Sequence, residues 1–65
     1  MTITLNGEPR ETTAQTIAEL LLELQAPHTG VAVAVNGQIV RKAEHAQTAL
    51  REDDDVEVIR AVQGG

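Results

Sequence analysis

Two Asn-Gly pairs, at positions 6–7 and 36–37, constrain this chain more than any other feature. Asn and Gly both tolerate positive φ, which a tight two-residue hairpin turn demands and most residues resist. Each pair follows an alternating run. Met1, Ile3 and Leu5 alternate with Thr2 and Thr4 before the first, and Val31, Val33 and Val35 alternate with Ala32 and Ala34 before the second. Period-two alternation is the pattern of a strand buried on one face. After the first turn, residues 9–13 read as an edge strand, where Pro9 can face solvent without breaking a ladder. After the second, residues 38–40 read as a short return strand.

Between the hairpins lies one helix. Thr16-Ile-Ala-Glu19 fits a capping box, in which the hydroxyl and the carboxylate each take an orphan amide. Ile17, Leu20, Leu21 and Leu24 form an apolar stripe at helical spacing, and Pro27 is expected to close the helix. Leu22 points nearly opposite the stripe, as a singly exposed Leu or a partner contact. Residues 41–50 read as a loop with one helical turn, Asp53-Asp54-Asp55 as a turn, and residues 56–62 as the last strand. One helix on one sheet makes a two-layer α+β domain. The element order is compatible with a β-grasp (ubiquitin-like) fold, a mixed sheet of four to five strands packed on one helix. That fold requires the last strand to run parallel beside the first. Residues 1–62 form the domain and residues 63–65 a flexible tail.

Composition narrows the function. The 65 residues include no aromatic side chain, no Cys, a single Met at position 1 and a formal net charge of −5. A domain this small buries only about 60% of its unfolded surface, so Ile, Leu, Val and Ala must supply the whole core. Disulfides, a cysteine nucleophile and a Cys/His zinc cluster are excluded. An acidic chain without aromatics lacks the footprint of a nucleic-acid binder. No apolar run approaches the roughly 20 residues of a membrane span, and no signal peptide is visible. The expectation is a soluble cytoplasmic protein with little room for an enclosed active site, a carrier or binding module rather than an enzyme.

The last strand leads into Gln63-Gly64-Gly65. A Gly pair without Cβ atoms can thread extended into a narrow channel of another protein, presenting an α-carboxylate as the reactive group. A carboxylate becomes an acyl donor only once ATP has converted it to an acyl-adenylate. The alternative is an ordinary frayed tail. His28 and His45, in predicted loops, read as solvated surface residues. The acidic triplet lacks the spaced ligands and Gly of a calcium loop, so no metal or catalytic residue is assigned. The acidic excess serves docking onto basic partners or plain solubility. If Val56 and Val58 face the helix, Ile59 and Ala61 face away with Ala32 and Ala34, forming an outward apolar patch beside the tail. The expected partner-binding set is Ala32, Ala34, Ile59, Arg60, Ala61 and Val62. Arg60 pairs with an acidic partner group, or with Glu57 or the Asp triplet. A bulge near residue 60 would instead turn Ile59 into the core.

At this point the residues resemble a family, the thiamin-biosynthesis sulfur carriers (ThiS-like), small β-grasp relatives of ubiquitin. The matching segments are Ile3-Thr-Leu-Asn-Gly-Glu-Pro-Arg-Glu11, Thr16-Ile-Ala-Glu-Leu-Leu21, Gly30-Val-Ala-Val-Ala-Val-Asn-Gly37, Val56-Glu-Val-Ile-Arg-Ala-Val62 and Gly64-Gly65. Three positions depart from the usual pattern: Gln63 stands where a third Gly is frequent, His45 where Trp is common, and Asp53 where the last turn usually has Gly. The resemblance implies a cycle in which an adenylating enzyme (ThiF-like, similar to ubiquitin-activating enzymes) uses MgATP to form an acyl-adenylate on Gly65. Sulfur from a donor such as a cysteine desulfurase then makes the thiocarboxylate (1-thioglycine), and thiazole synthase takes it. Gly64 and Gln63 thread the tail, and the carrier itself holds no cofactor. The alternatives are a carrier like the small subunit of molybdopterin synthase, a ubiquitin-like protein modifier, and a non-covalent adaptor.

Overall fold

The computed structural model describes residues 1–27 and 30–60. Strands β1 (Thr2–Leu5) and β2 (Glu8–Glu11) form the first hairpin, followed by helix α1 (Ile17–Glu23). Strands β3 (Val31–Val35) and β4 (Gln38–Val40) form the second, and β5 (Asp55–Arg60) completes a five-stranded sheet in the order β2-β1-β5-β3-β4. β5 runs parallel to β1 and antiparallel to β3, so the last strand lies in mid-sheet, as the β-grasp expectation requires.

Both Asn-Gly pairs form the mirror-image turn that matches strand twist: φ is 51° and 85° at Asn6 and Gly7, and 51° and 84° at Asn36 and Gly37. A Cβ on either Gly would meet nothing within 4 Å, so backbone conformation, not crowding, demands glycine there. The first turn closes with Leu5 opposite Glu8 and Thr4 opposite Pro9. In a two-residue hairpin the closing pair exchanges hydrogen bonds and the next pair does not. The nitrogen of Pro9 therefore points away from β1 and costs the ladder nothing. The strand spans residues 8–11, not 9–13, and Thr12 closes the ladder by exchanging amide and carbonyl bonds with Met1.

The apolar faces meet as the alternation predicts. Ile3, Ala14, Ile17, Leu20, Val33, Leu50 and Val56 form the buried core, with Met1, Leu5, Leu21, Leu24, Val31, Val35 and Val58 packed against it. At the N-terminus of α1, the Glu19 amide donates to Thr16 Oγ1 at 3.1 Å. The Glu19 carboxylate accepts from the amide of Gln15, one residue upstream of the position expected in a capping box. The helix does not run on to Pro27. Gln25 adopts φ 57°, its amide donates to Leu22 O at 3.0 Å and the Ala26 amide to Leu21 O at 2.9 Å. That is a Schellman stop, built on Gln where Gly is usual. A left-handed L-residue costs about 1–2 kcal/mol, so Gln25→Gly should raise stability by about 1 kcal/mol in urea melts; a loss instead would show that the Gln side chain holds the stop.

The end of α1 is tied to the edge hairpin. Glu23 accepts from the Thr12 hydroxyl at 2.7 Å and from Arg10 Nε and Nη2 at 3.0 and 2.9 Å. The buried Thr12 also takes the Ala14 amide on its hydroxyl and the N-terminal ammonium on its carbonyl. The Thr12 hydrogen bond, then Arg10, hold the Glu23 carboxyl below its usual range against a partial desolvation. A carboxylate whose pKa folding depresses contributes stability that is complete above its unfolded value and is lost as pH falls through the folded one. Glu23→Gln should thus destabilise at neutral pH by less than about 1 kcal/mol, since the pair is partly exposed. The gap to wild type should close on acidification. Melts at both pH values check this, and a gap independent of pH would exclude the charge as its origin.

Candidate functional site

The candidate site is the outward face of the sheet around the Arg60 end of β5. Its register against β3 is unbroken: Val31 lies opposite Arg60, Ala32 opposite Ile59, Val33 opposite Val58, Ala34 opposite Glu57 and Val35 opposite Val56. No bulge inverts the alternation over these residues. Val56 is buried and Val58 half-buried on the helix side, while Ile59 is 60% exposed on the other face. Ala32 is exposed and Ala34 half-buried beside it. The outward patch read from the sequence therefore forms with Ala32, Ala34 and Ile59. Ile39, 73% exposed and paired with Ala34 across β4, extends it. The sequence reading misses Ile39 because it treats residues 38–40 only as a return strand; their alternation against Ala34 carries the signal. Ala61, Val62, Gln63, Gly64 and Gly65 lie outside the described residues, as does His28.

Arg60, expected among the partner-binding residues but not in the outward patch, keeps the parity of the strand. Its place opposite Val31 puts it on the helix-side face at the strand end, and Glu57, opposite Ala34, faces the other way. Among the described residues the one ion pair joins Arg10 to Glu23, so Arg60 meets neither Glu57 nor the Asp triplet. His45 is not a solvated loop residue: it is 9% exposed, with Nε2 3.2 Å from Val40 O. The 3₁₀ turn Lys42–Glu44 folds this segment against α1, where the Ala18 amide donates to His45 O at 3.0 Å. Burial there suits a position at which the resembling family commonly carries a Trp.

Of the acidic triplet read as a turn, Asp53 lies in the turn and Asp55 already belongs to β5. Asp53 takes the left-handed conformation at φ 68° and its amide donates to Thr2 O. Asp54 accepts from the Arg51 amide and the Asn36 side chain, and Asp55 opens β5. Among the described residues no three His, Cys, Asp or Glu side chains are grouped to hold a metal. No described helix is long and apolar enough to cross a membrane. An open groove of about 450 Å³ lies on the helix side, lined by Ala18, Leu21, Leu22, Val31, Lys42 and His45 among others. It converges no set of polar groups, so it offers no catalytic constellation.

A five-stranded β-grasp domain with its last strand parallel to the first, an outward apolar patch and a Gly-Gly sequence beyond that strand has the architecture of a ubiquitin-like carrier. The model of the ThiS family matches residues 3–65, and the chain belongs to that family. It is 41% identical over 61 residues to the sulfur carrier protein ThiS of Thermus thermophilus, covering 94% of this chain and 95% of that one. It is 38% identical over 66 residues to a thiazole synthase of Paramagnetospirillum magneticum, where the match takes in all of this chain but only 20% of that protein. The crystal structure of a thiamine biosynthesis protein (ThiS) from Geobacter metallireducens superposes with a TM-score of 0.84 at 28% identity, covering 100% of both chains.

The patch yields a direct test of register. Since Ile59 faces outward, Ile59→Glu should change stability by no more than about 0.5 kcal/mol, measured by denaturant unfolding. A loss of several kcal/mol would place Ile59 in the core.

Proposed function

We propose that this chain is the sulfur carrier of thiamine (thiazole) biosynthesis and that the carboxylate of Gly65 is the group that is loaded. The observation that carries this reading is the family match over residues 3–65. It is joined by a β-grasp body whose central strand is followed in sequence by the Gly pair. In the proposed cycle an adenylating partner binds MgATP. The Gly65 carboxylate oxygen attacks the α-phosphorus and pyrophosphate leaves. A persulfide-type sulfur donor, such as one charged by a cysteine desulfurase, then attacks the acyl carbon and AMP leaves. Cleavage of the S–S bond by a thiol leaves the thiocarboxylate on Gly65. Thiazole synthase consumes that sulfur, and the thiazole synthase relative that contains a segment like the whole of this chain supports such an acceptor.

The chain's own residues position and present. The outward patch of Ala32, Ala34, Ile39 and Ile59 gives the adenylating partner a low, apolar landing face, and Ala61 and Val62 are proposed to contact the same partner. Gln63 and Gly64 pass through the partner's channel, where Gly64 needs free choice of φ and room for no Cβ. Arg60, at the strand end, meets an acidic group of the partner.

The primary test is intact mass after incubation with the adenylating enzyme, MgATP and a sulfur source: one oxygen should be exchanged for sulfur at Gly65. Attachment to a lysine amine instead would make the chain a protein modifier. Adenylation demands in-line approach of the carboxylate, and reactive geometry tolerates little displacement. Gly64→Val should therefore cut ATP–pyrophosphate exchange sharply, Gly64→Ala less and Gln63→Ala little, while direct binding of the body stays near wild type. Ile59→Glu should do the reverse, weakening binding first. Equal exchange by wild type and Gly64→Val would remove the threading role of the glycine.

A further inference from the structure

We infer that Asn6 is a positioning residue for the loading reaction, because its side-chain amide substitutes for the continuation of β1 along the exit half of β5. The inference rests on the carrier reading above. Direct pairing of β1 with β5 covers only Thr4 opposite Asp55 and Leu5 opposite Val56. The Asn6 amide makes the last main-chain bond of this ladder, to Val56 O at 2.9 Å. A continuing parallel strand would next accept from the Val58 amide with a carbonyl and donate to Val58 O with an amide. β1 cannot continue, since the chain reverses at Asn6 with φ 51°. The Asn6 side chain makes both bonds instead: Oδ1 accepts from the Val58 amide at 2.9 Å and Nδ2 donates to Val58 O at 3.3 Å. A carboxamide has the donor, acceptor and planarity of a peptide group, so the replacement is isosteric. Val58 stands two residues before Arg60, where β5 ends. Beyond Val56, β5 is held on one side by β3 and on the other by this amide. The clamp thus sets the angle at which the strand points the residues beyond it.

The second hairpin supplies a control. Asn36 makes a similar grip at the opposite end of β5, its Oδ1 accepting from the Asp55 amide at 3.0 Å and its Nδ2 donating to Asp54 Oδ1 at 3.0 Å. Asn6→Gly and Asn36→Gly keep the positive φ each turn requires and delete only the amide. The experiment is ATP–pyrophosphate exchange by the adenylating enzyme with each variant as carrier substrate, with amide hydrogen exchange on the free carriers. Asn6→Gly should lower kcat by about tenfold or more, since small displacements of reacting groups are costly, with KM unchanged because the docking face is intact. Its Val58 amide should exchange faster while Val33 stays protected. Asn36→Gly should keep kcat. Asn6→Asp retains the acceptor but faces a carboxylate to Val58 O, and should fall between. Wild-type kcat in Asn6→Gly, an equal kcat loss in Asn36→Gly, or unchanged Val58 protection would each overturn the inference. A wild-type chain that takes no AMP overturns the carrier reading itself, and the Val58 contrast then still decides whether the clamp holds.

Discussion

Everything in this fold depends on holding β5 in mid-sheet between two hairpins that it alone joins within the sheet. β5 lies between the β1–β2 and β3–β4 pairs. It brings Val56, fully buried, under the helix beside Ile3 and Val33. Main-chain bonds alone hold it unevenly, with a long antiparallel run to β3 and a brief parallel run to β1. The deficit is met by the turns. Asn6 and Asn36 each donate a main-chain amide to β5, to Val56 O and Asp55 O, and each adds a side-chain acceptor for a β5 amide. One residue type therefore does two jobs at both sites: it tolerates the left-handed conformation and satisfies backbone groups that an unpaired strand would leave open.

That arrangement separates stability from function along a single strand. The helix-side residues of β5 are committed to an aliphatic core that no aromatic ring enlarges, so each buried Ile, Leu or Val matters. The outward residues Glu57 and Ile59 pair with Ala34 and Ala32, whose small side chains keep the sheet surface low. A partner can approach that surface closely without disturbing the core. The proposed cycle would use this division, with the partner holding the outward face while the core stays intact.

Much of this is legible from residue order. Alternation in residues 1–5 and 31–35, two Asn-Gly pairs and one helical stripe specify the elements and their faces, while the parallel last strand enters only as a requirement of the β-grasp fold with which that order is compatible. The outward patch comes from counting parity along residues 56–61. The features that escape depend on contacts distant in sequence. A left-handed Gln25 has no compositional signature, so residue order puts the helix end at Pro27. His45 is buried only because the 3₁₀ turn docks on α1. Asn6 and Asn36 read as turn formers, since nothing local reveals that their amides also serve a strand about fifty and twenty residues away.

The departures from the family pattern test how much of that pattern is fold and how much is reaction. Asp53 replaces the usual Gly of the last turn and still adopts φ 68°. Asp is among the few L-residues that visit this region routinely, and the Asp53 amide bond to Thr2 O fixes it there. His45 occupies the site of a common Trp and stays buried by giving its ring nitrogen a carbonyl partner, Val40 O, which a smaller apolar residue could not satisfy. Both substitutions are thus absorbed by local hydrogen bonding within the body and leave the β5 clamp and the outward face untouched. The demand that remains specific to the reaction falls on Gly64 and Gly65, where the proposed chemistry admits no Cβ before the carboxylate. In the proposed cycle Gln63, one residue earlier, is where a side chain becomes admissible again.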